Sequence, residues 1–398
     1  MKTLWIVLCL TLTHSSFATE VKLSEIKDKL LERNLEVQAT AEQVYQSRLQ
    51  IQLARRNLLP RLNISKIISV PFSVGGAIGL IEDIAPFLFP ANWFKIKETK
   101  YLAQASEFSF DTLKLNQIFM GRSSGLTLLA DQAVLADLEN QDATLQMWID
   151  VIRLQERLGQ LPVGTSADFE RLQLEANRDV QLQRQGVLNG LSEMKAMFGM
   201  KQSEQLSIGG SFEEISDVPL KIKPKWYEDT PETQSFDYLI LAAYQYKRGF
   251  FFSFLGFTSN ARGLSGGIFD GLPEPQGLSF GIGPTMEIAS SQAYKLELQR
   301  EGAMQTQQKA YAQALAMIES QKGLINNVVQ REKMLEDSLE LMESRVKIGL
   351  PLDANRLFVL LRDRLATRVE HTITRLHSTL AIERKHRIVN QLSYADVK

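Results

Sequence analysis

Arg345-Val346-Lys347-Ile348-Gly349-Leu350-Pro351-Leu352-Asp353 joins two of the longest uninterrupted helical patterns in the sequence and reads as the tight tip of a helical hairpin. On its N-terminal side no proline occurs from Thr285 to Leu350, and Leu324, Val328, Leu335, Leu339, Met342 and Val346 recur in steps of three, four or seven. That spacing is a coiled-coil seam. On its C-terminal side Leu357, Leu361, Leu365, Val369, Leu376 and Leu380 form a second apolar stripe on one face of a helix. Two such stripes bury each other. Gly349 suits the left-handed conformation that ends a helix, Pro351 suits a first turn, and Asp353 suits the positive N-terminal end of the next helix.

A second stretch has the same plan. Val163-Gly164-Thr165-Ser166-Ala167-Asp168-Phe169-Glu170-Arg171-Leu172 lines up with Ile348 to Leu357, with Gly, Asp, Arg and Leu at the same offsets, and helical sequence without proline flanks it from Ala91 to Leu161 and from Val163 to Val218. The chain therefore reads as two halves of similar design, and such a period is established before anything else.

At 398 residues with 44% hydrophobic content, the chain has ample material for a large core. Met1-Lys2-Thr3, the apolar run Leu4 to Thr13 and Ser16-Phe17-Ala18 resemble a secretory signal, with cleavage expected after Ala18. The single cysteine, Cys9, lies inside that segment, so the mature chain would carry neither thiol nor disulfide. A lipidated Cys9 would have too short an apolar region before it. Removing Met1 to Ala18 takes away Lys2 and no acid, which moves the formal charge from −1 to −2. A nearly neutral chain with interspersed charges has no electrostatic footprint for nucleic acid. No apolar run approaches the roughly 20 residues of a membrane-spanning helix.

In order, the chain reads as helix from Leu23 to Asn57 with a break near Asn34, then period-two sequence from Leu62 to Phe72 that indicates a strand. A return strand is expected near Ile84 to Asn92. A helix follows from about Trp93 to Leu158, weakened at Gly121 and Gly125, and after the Gly164 tip a helix returns to Met197, closed by Phe198-Gly199. Residues 201–234 read as a connector. The second half repeats the order: Ser235 opens a helix, Phe250 to Phe257 is either helix end or strand start, Ala261 to Phe269 is a weak strand, and Phe280 to Ile288 alternates as a strand before the long helix to Gly349. The domain plan is thus a signal over 1–18, a first repeat over 19–200, a connector over 201–234 and a second repeat over 235–398.

Four strands per chain cannot close into a barrel. An amphipathic sheet in lipid cannot leave an open edge, because each unpaired backbone group costs several kcal/mol there. Closure needs about eight strands or more, so chains must pool theirs, and three chains would give twelve. The fold class expected is mainly α with a small β part: antiparallel coiled-coil hairpins forming a periplasmic tube beneath a shared transmembrane β-barrel.

The Asn34-Leu35-Glu36 opening, the Ala54-Arg55-Arg56-Asn57-Leu58-Leu59-Pro60 junction, the glycine tips and the two-fold repeat resemble the TolC-like outer-membrane efflux proteins, over residues 24 to 390. The resemblance implies a homotrimer with a twelve-stranded barrel in outer-membrane lipid, an α-helical periplasmic tunnel, and docking to a periplasmic adaptor and an inner-membrane transporter. It implies adaptor docking at the tips, here Gly164, Thr165, Gly349, Leu350 and Pro351. It also implies a constriction after the second tip, where Asp353 falls and where Arg356 stands in place of a second acid. For Asp353 and Asp168 the competing role is a plain charge at a helix N-terminus.

No cofactor, metal or catalytic constellation is expected. His371, His377 and His386 are spaced by six and nine, which does not place them on one helix face as ligands. Glu336, Glu340 and Glu343 read as a solvated run, and Met334 and Met342 as seam packing. The function expected is a passive exit duct of an efflux pump or type I secretion system. The competing reading is a secreted coiled-coil scaffold that keeps the helices without inserting.

Overall fold

A computed structural model describes residues 19–59, 85–215, 217, 222–254 and 282–389. The elements in chain order are β1 (Thr19–Lys22), α1 (Ile26–Arg33), α2 (Leu35–Arg56), α3 (Pro90–Arg157), α4 (Thr165–Met197), β2 (Leu206–Gly209), α5 (Pro231–Phe254), α6 (Ile282–Lys347) and α7 (Ala354–Ile388). Helices of like length recur along the chain. Helices α2 and α5 have 22 and 24 residues, α3 and α6 have 68 and 66, and α4 and α7 have 33 and 35.

The chain divides into two compact units, one of Met1–Asn34, Gln117–Leu220 and Tyr311–Lys398, the other of Leu35–Asn116 and Lys221–Ala310. Each repeat supplies elements to both units.

In the first unit, β1 pairs in parallel with β2, Thr19 opposite Leu206 and Lys22 opposite Gly209. Val21, Leu23, Ile26 and Leu30 are fully buried and pack with Leu126, Met194, Phe198 and Ile208 in one apolar cluster. Asn34 interrupts the helix where the sequence predicts a break. Its backbone N–H bonds Leu30 O and its side-chain Nδ2 donates to Met197 O at 3.0 Å, which satisfies an otherwise orphaned carbonyl at the end of α4. Gly199 then ends that helix at φ +61, and a Cβ there would lie 2.8 Å from Arg33 O. Gly121 does not split α3. A Cβ at Gly121 would lie 2.3 Å from Leu30 Cδ1, so the missing side chain serves the close approach of α1.

The second unit is held by small and aromatic residues. Ala242, Ala243, Ala293 and Leu296 are buried together, flanked by Tyr101, Phe236 and Leu239. Tyr238 stacks on Phe108 at 5.4 Å. Thr230 caps α5, its Oγ1 accepting from Thr233 N at 3.3 Å, and Pro231 occupies the first helical position.

Several expectations fail, among them the helix opening at Ser235, since α5 begins at Pro231. The return strand expected near 84–92 is, over its described residues 85–92, instead a 3-10 turn at Pro86–Leu88 followed by α3 from Pro90. Asn92 Nδ2 donates to Pro86 O at 2.8 Å and Trp93 Nε1 to Phe87 O at 2.8 Å, fastening that turn to the helix. The strand over 280–288 is wrong from Ile282 onward, because those residues begin α6. Pro351 lies before α7, whose first residue is Ala354, rather than in its first turn. Met334 is 69% exposed, so it is not packed in the seam that the chain itself buries, whereas Met342 is buried as expected. Phe250 to Phe254 is helical. The signal segment and the strand candidates at 62–72 and 261–269 lie outside the described residues.

Gly199→Ala should destabilise the chain by about 1–3 kcal/mol, since it combines a left-handed backbone with a backbone contact. Gly302→Ala, inside α6 with nothing within 4 Å of the added carbon, should stabilise by up to ~1 kcal/mol. Thermal unfolding followed by far-UV circular dichroism separates the two, and equal effects would refute the assignment.

Candidate functional site: the hairpin tips

Both tips lie in the first unit. Helix α3 ends in a glycine-closed turn in which Gly159 N bonds Glu156 O and Gln160 N bonds Gln155 O. Helix α6 ends the same way, with Gly349 N on Val346 O and Leu350 N on Arg345 O. This is the Schellman pattern, and both glycines have positive φ, +70 and +82. Gly159, not Gly164, is therefore the structural counterpart of Gly349. Gly164, at φ +99, is the cap before α4 and corresponds to Asp353, the cap before α7. The four-residue match in the sequence runs in a register about one helical turn away from the structural one.

The two caps work differently. Asp353 accepts from Arg356 N at 3.1 Å with its own carboxylate. Gly164 has no side chain, and Glu156 of α3 substitutes for one, accepting from Ser166 N and Ser166 Oγ at 2.8 Å each. Those bonds hold the Glu156 carboxyl below its ordinary range. Asp168 lies in the first turn of α4, where a negative charge complements the helix dipole. Thr165 Oγ1 donates to Pro162 O at 2.8 Å. Val163 is 96% exposed and Leu350 41%.

Leu352 departs from that pattern. It is 6% exposed and joins Leu145, Trp148, Ile149 and Ile152 of α3 in an apolar cluster, with Phe169, Leu357 and Leu361. Its N–H donates to Gln155 Oε1 at 3.3 Å. Behind it Phe169 and Phe358, four residues into α4 and α7 respectively, meet edge to face at 5.6 Å. The second tip is thus seated on the first hairpin.

Further along the hairpins a charged network joins three helices. Arg368 of α7 reaches Glu336 at 2.8 Å and Glu332 at 3.3 Å on α6, and Asp137 at 3.6 Å on α3, while His371 Nδ1 lies 3.0 Å from Glu332. Burial raises the Asp137 carboxyl against the pull of Arg368. Glu336 is exposed, as a solvated run requires, and is also paired with Arg368. The signal was legible: Glu332 and Glu336 at i,i+4 face Arg364, Arg368 and His371 at i,i+4,i+7.

A second charged group is buried near the end of α7. Arg122 and Glu383, 1% and 2% exposed, are 3.4 Å apart, and Lys385 pairs with Asp217. His386 is 1% exposed. Burial and then Lys385 hold its pKa down to about 4; Asp217 opposes them and Arg122 adds to them. Among the described residues no group of three or more His, Cys, Asp or Glu could hold a metal ion, and no helix is long and apolar enough to cross a membrane.

No protein-family model and no curated protein matches the sequence. Among solved structures the chain is similar to CusC, described for conformational changes accompanying folding and transmembrane channel formation. The TM-score is 0.74 at 13% identity, over 94% of this chain and 93% of that one. The open state of the Neisseria gonorrhoeae MtrE outer membrane channel gives 0.74 at 16%, over 94% and 90%. The Campylobacter jejuni CmeC outer membrane channel gives 0.70 at 12%, over 94% and 87%. The fold is that of the outer-membrane channels. It is the TolC-like fold that the sequence resemblance implied.

Two outcomes are expected. Leu352→Ala should cost about 2–4 kcal/mol by removing a buried side chain, and Val163→Ala, at the exposed position, less than about 0.5; chemical denaturation measures both. For His386, the unfolded chain protonates near the ordinary 6.5 and the folded chain near 4, so stability falls as pH drops through that window, by on the order of 2–3 kcal/mol. His386→Leu should flatten that segment. The loss from Glu213, which Arg375 holds at about 2, and from Asp217, which burial raises but Lys385 and Lys322 together hold down, should remain at lower pH.

Proposed function

We propose that the chain is one protomer of an outer-membrane exit duct: a passive conduit, closed and opened at its periplasmic helical tips, that serves a tripartite efflux pump or a type I secretion system. Fold alone does not define function. The observation that carries the reading is a second apolar seam on the hairpins that the chain itself does not cover. Met147 and Leu154 on α3, Leu174 and Leu188 on α4, Met334 and Leu341 on α6, and Val359 and Ile373 on α7 are 42–71% exposed. Each pair is separated by 7 or 14 residues.

Heptad spacing on an already paired helix calls for a further helix neighbour. Like hairpins from other copies supply it, and three copies also supply the strands that one chain lacks. In this reading the chain acts as a homotrimer in the outer membrane with its helices in the periplasm. A periplasmic adaptor engages Gly164, Thr165, Gly349, Leu350 and Pro351, and an inner-membrane transporter delivers substrate. Asp353 and Arg356 sit at the constriction, where the Asp353 carboxylate is already engaged as a helix cap. The duct performs no chemistry on what it passes.

Full-length protein should fractionate with the outer membrane, run as a heat-modifiable trimer and conduct ions in a planar bilayer. A monomer found in the periplasmic wash would refute this and favour the secreted scaffold. Leu174→Glu with Leu188→Glu should abolish the trimer. The monomer's stability should change by no more than about 0.5 kcal/mol per site.

A further inference from the structure

We propose that one end of the second unit is a lipid-facing collar that binds the headgroups of anionic phospholipids, an inference that rests on the outer-membrane reading. Helices α2 and α5 end, and α3 and α6 begin, where residues 60–84 and 255–281 leave the described chain. Two of those helix ends are in contact, and a third shares a cavity with one of them. Phe94, in the second turn of α3, stacks on Phe252 near the end of α5 at 5.3 Å and 14°. Met286, near the start of α6, lines a cavity of about 260 Å³ with Tyr244, Lys247, Arg248, Phe251 and Phe252.

The exposed side chains at this end are of two kinds. Phe87 is 48% exposed, Leu88 62%, Trp93 51% and Phe251 46%. Trp93 is held by its indole N–H on Phe87 O, so it presents a fixed apolar ring. Amphipathic aromatic side chains of this sort favour the headgroup level of a bilayer.

The second kind is basic. Neither Lys247 nor Arg248 has an acidic partner among the described residues, and Lys97 lies 6.0 Å over the Phe94 ring. Arg55 and Arg56 are exposed at the end of α2. The nearby acids are largely consumed. Glu98 is 2% exposed and paired with Lys95 at 2.8 Å, and Glu297 accepts from Tyr244 Oη at 2.8 Å, which leaves Glu287 exposed. A protein neighbour would have to desolvate these unpaired cations, whereas an anionic headgroup neutralises them while the aromatics enter the acyl boundary. The cavity between Lys247, Arg248 and Phe251 joins both functions in one place.

The test uses full-length protein purified in detergent and titrated with soluble short-chain phosphatidylglycerol, with phosphatidylcholine and inorganic phosphate as controls, read by native mass spectrometry. A photo-crosslinking residue at Phe251 is examined in intact cell envelopes. The wild type should prefer phosphatidylglycerol to both controls, and Lys247→Gln with Arg248→Gln should weaken that binding roughly 10- to 30-fold. The Phe251 probe should yield a phospholipid adduct. Equal binding of the two lipids, an unaffected double variant, or a Phe251 crosslink to a second copy of the chain would each overturn the collar in a membrane-resident trimer. Recovery of the wild type as a soluble periplasmic protein would instead overturn the duct, and the collar with it.

Discussion

Helices of 66 and 68 residues cannot be stabilised by their own backbone bonds, so continuous side-chain contact along them is the constraint on which the structure depends. In the first unit that contact starts at the tips, where two glycine-closed turns send each long helix back on itself. It is completed by the cluster of Trp148, Ile149, Ile152, Phe169, Leu352 and Leu357. Because Phe169 and Phe358 each lie four residues into their helices, their edge-to-face contact is one between repeat-related residues. The like-placed Phe169 and Phe358 therefore meet each other across the two hairpins.

The same constraint explains the exposed seam. A hairpin that packs on one neighbour buries one stripe, and a heptad sequence with apolar residues on a second face keeps a second stripe in water until another helix covers it. Leu174 is 71% exposed and Met334 69%, far from the fate of Val328 at 2% or Leu357 at 0%. Large apolar patches of this kind on a folded chain mark an interaction surface. Salt networks do not compete with that burial energetically. Arg331 with Glu370, at 51% and 47% exposure, contributes little, whereas the more enclosed Arg368 network orients α7 against α3 and α6.

The helices were legible because heptad spacing, proline placement and glycine ends all pointed the same way, from Asn34 at the first break to Gly349 at the last tip. The failures have equally local causes. Ile282, Met286 and Ile288 fit a period of two in a glycine-rich window, but Ala289, Ala293 and Leu296, all buried, continue steps of four and three and belong to a helix. Pro90 opens α3 rather than lying inside a strand, since its missing N–H is no loss at a first helical position. The tip register was misread because Gly164 and Gly349 share a residue type and a positive φ but not a role. The first turn has one more residue between its closing glycine and its cap than the second. Seating of Leu352 had no sequence signal, because Val163 at the matching place is as apolar and stands in solvent.

That difference between Leu352 and Val163 decides how firmly each tip is held. The first tip is self-contained: Glu156 holds Ser166 and Gly159 closes α3 without help from the second hairpin. The second tip is not. Any displacement of α6 and α7 away from α3 must expose Leu352 and free Gln155 from the Leu352 N–H, which together cost on the order of 2–4 kcal/mol. A cost of that size keeps the seated arrangement dominant, yet it is within the differential affinity that one bound partner can supply. The second tip is consequently held by its contacts with the first hairpin, whereas the first tip is closed by its own bonds.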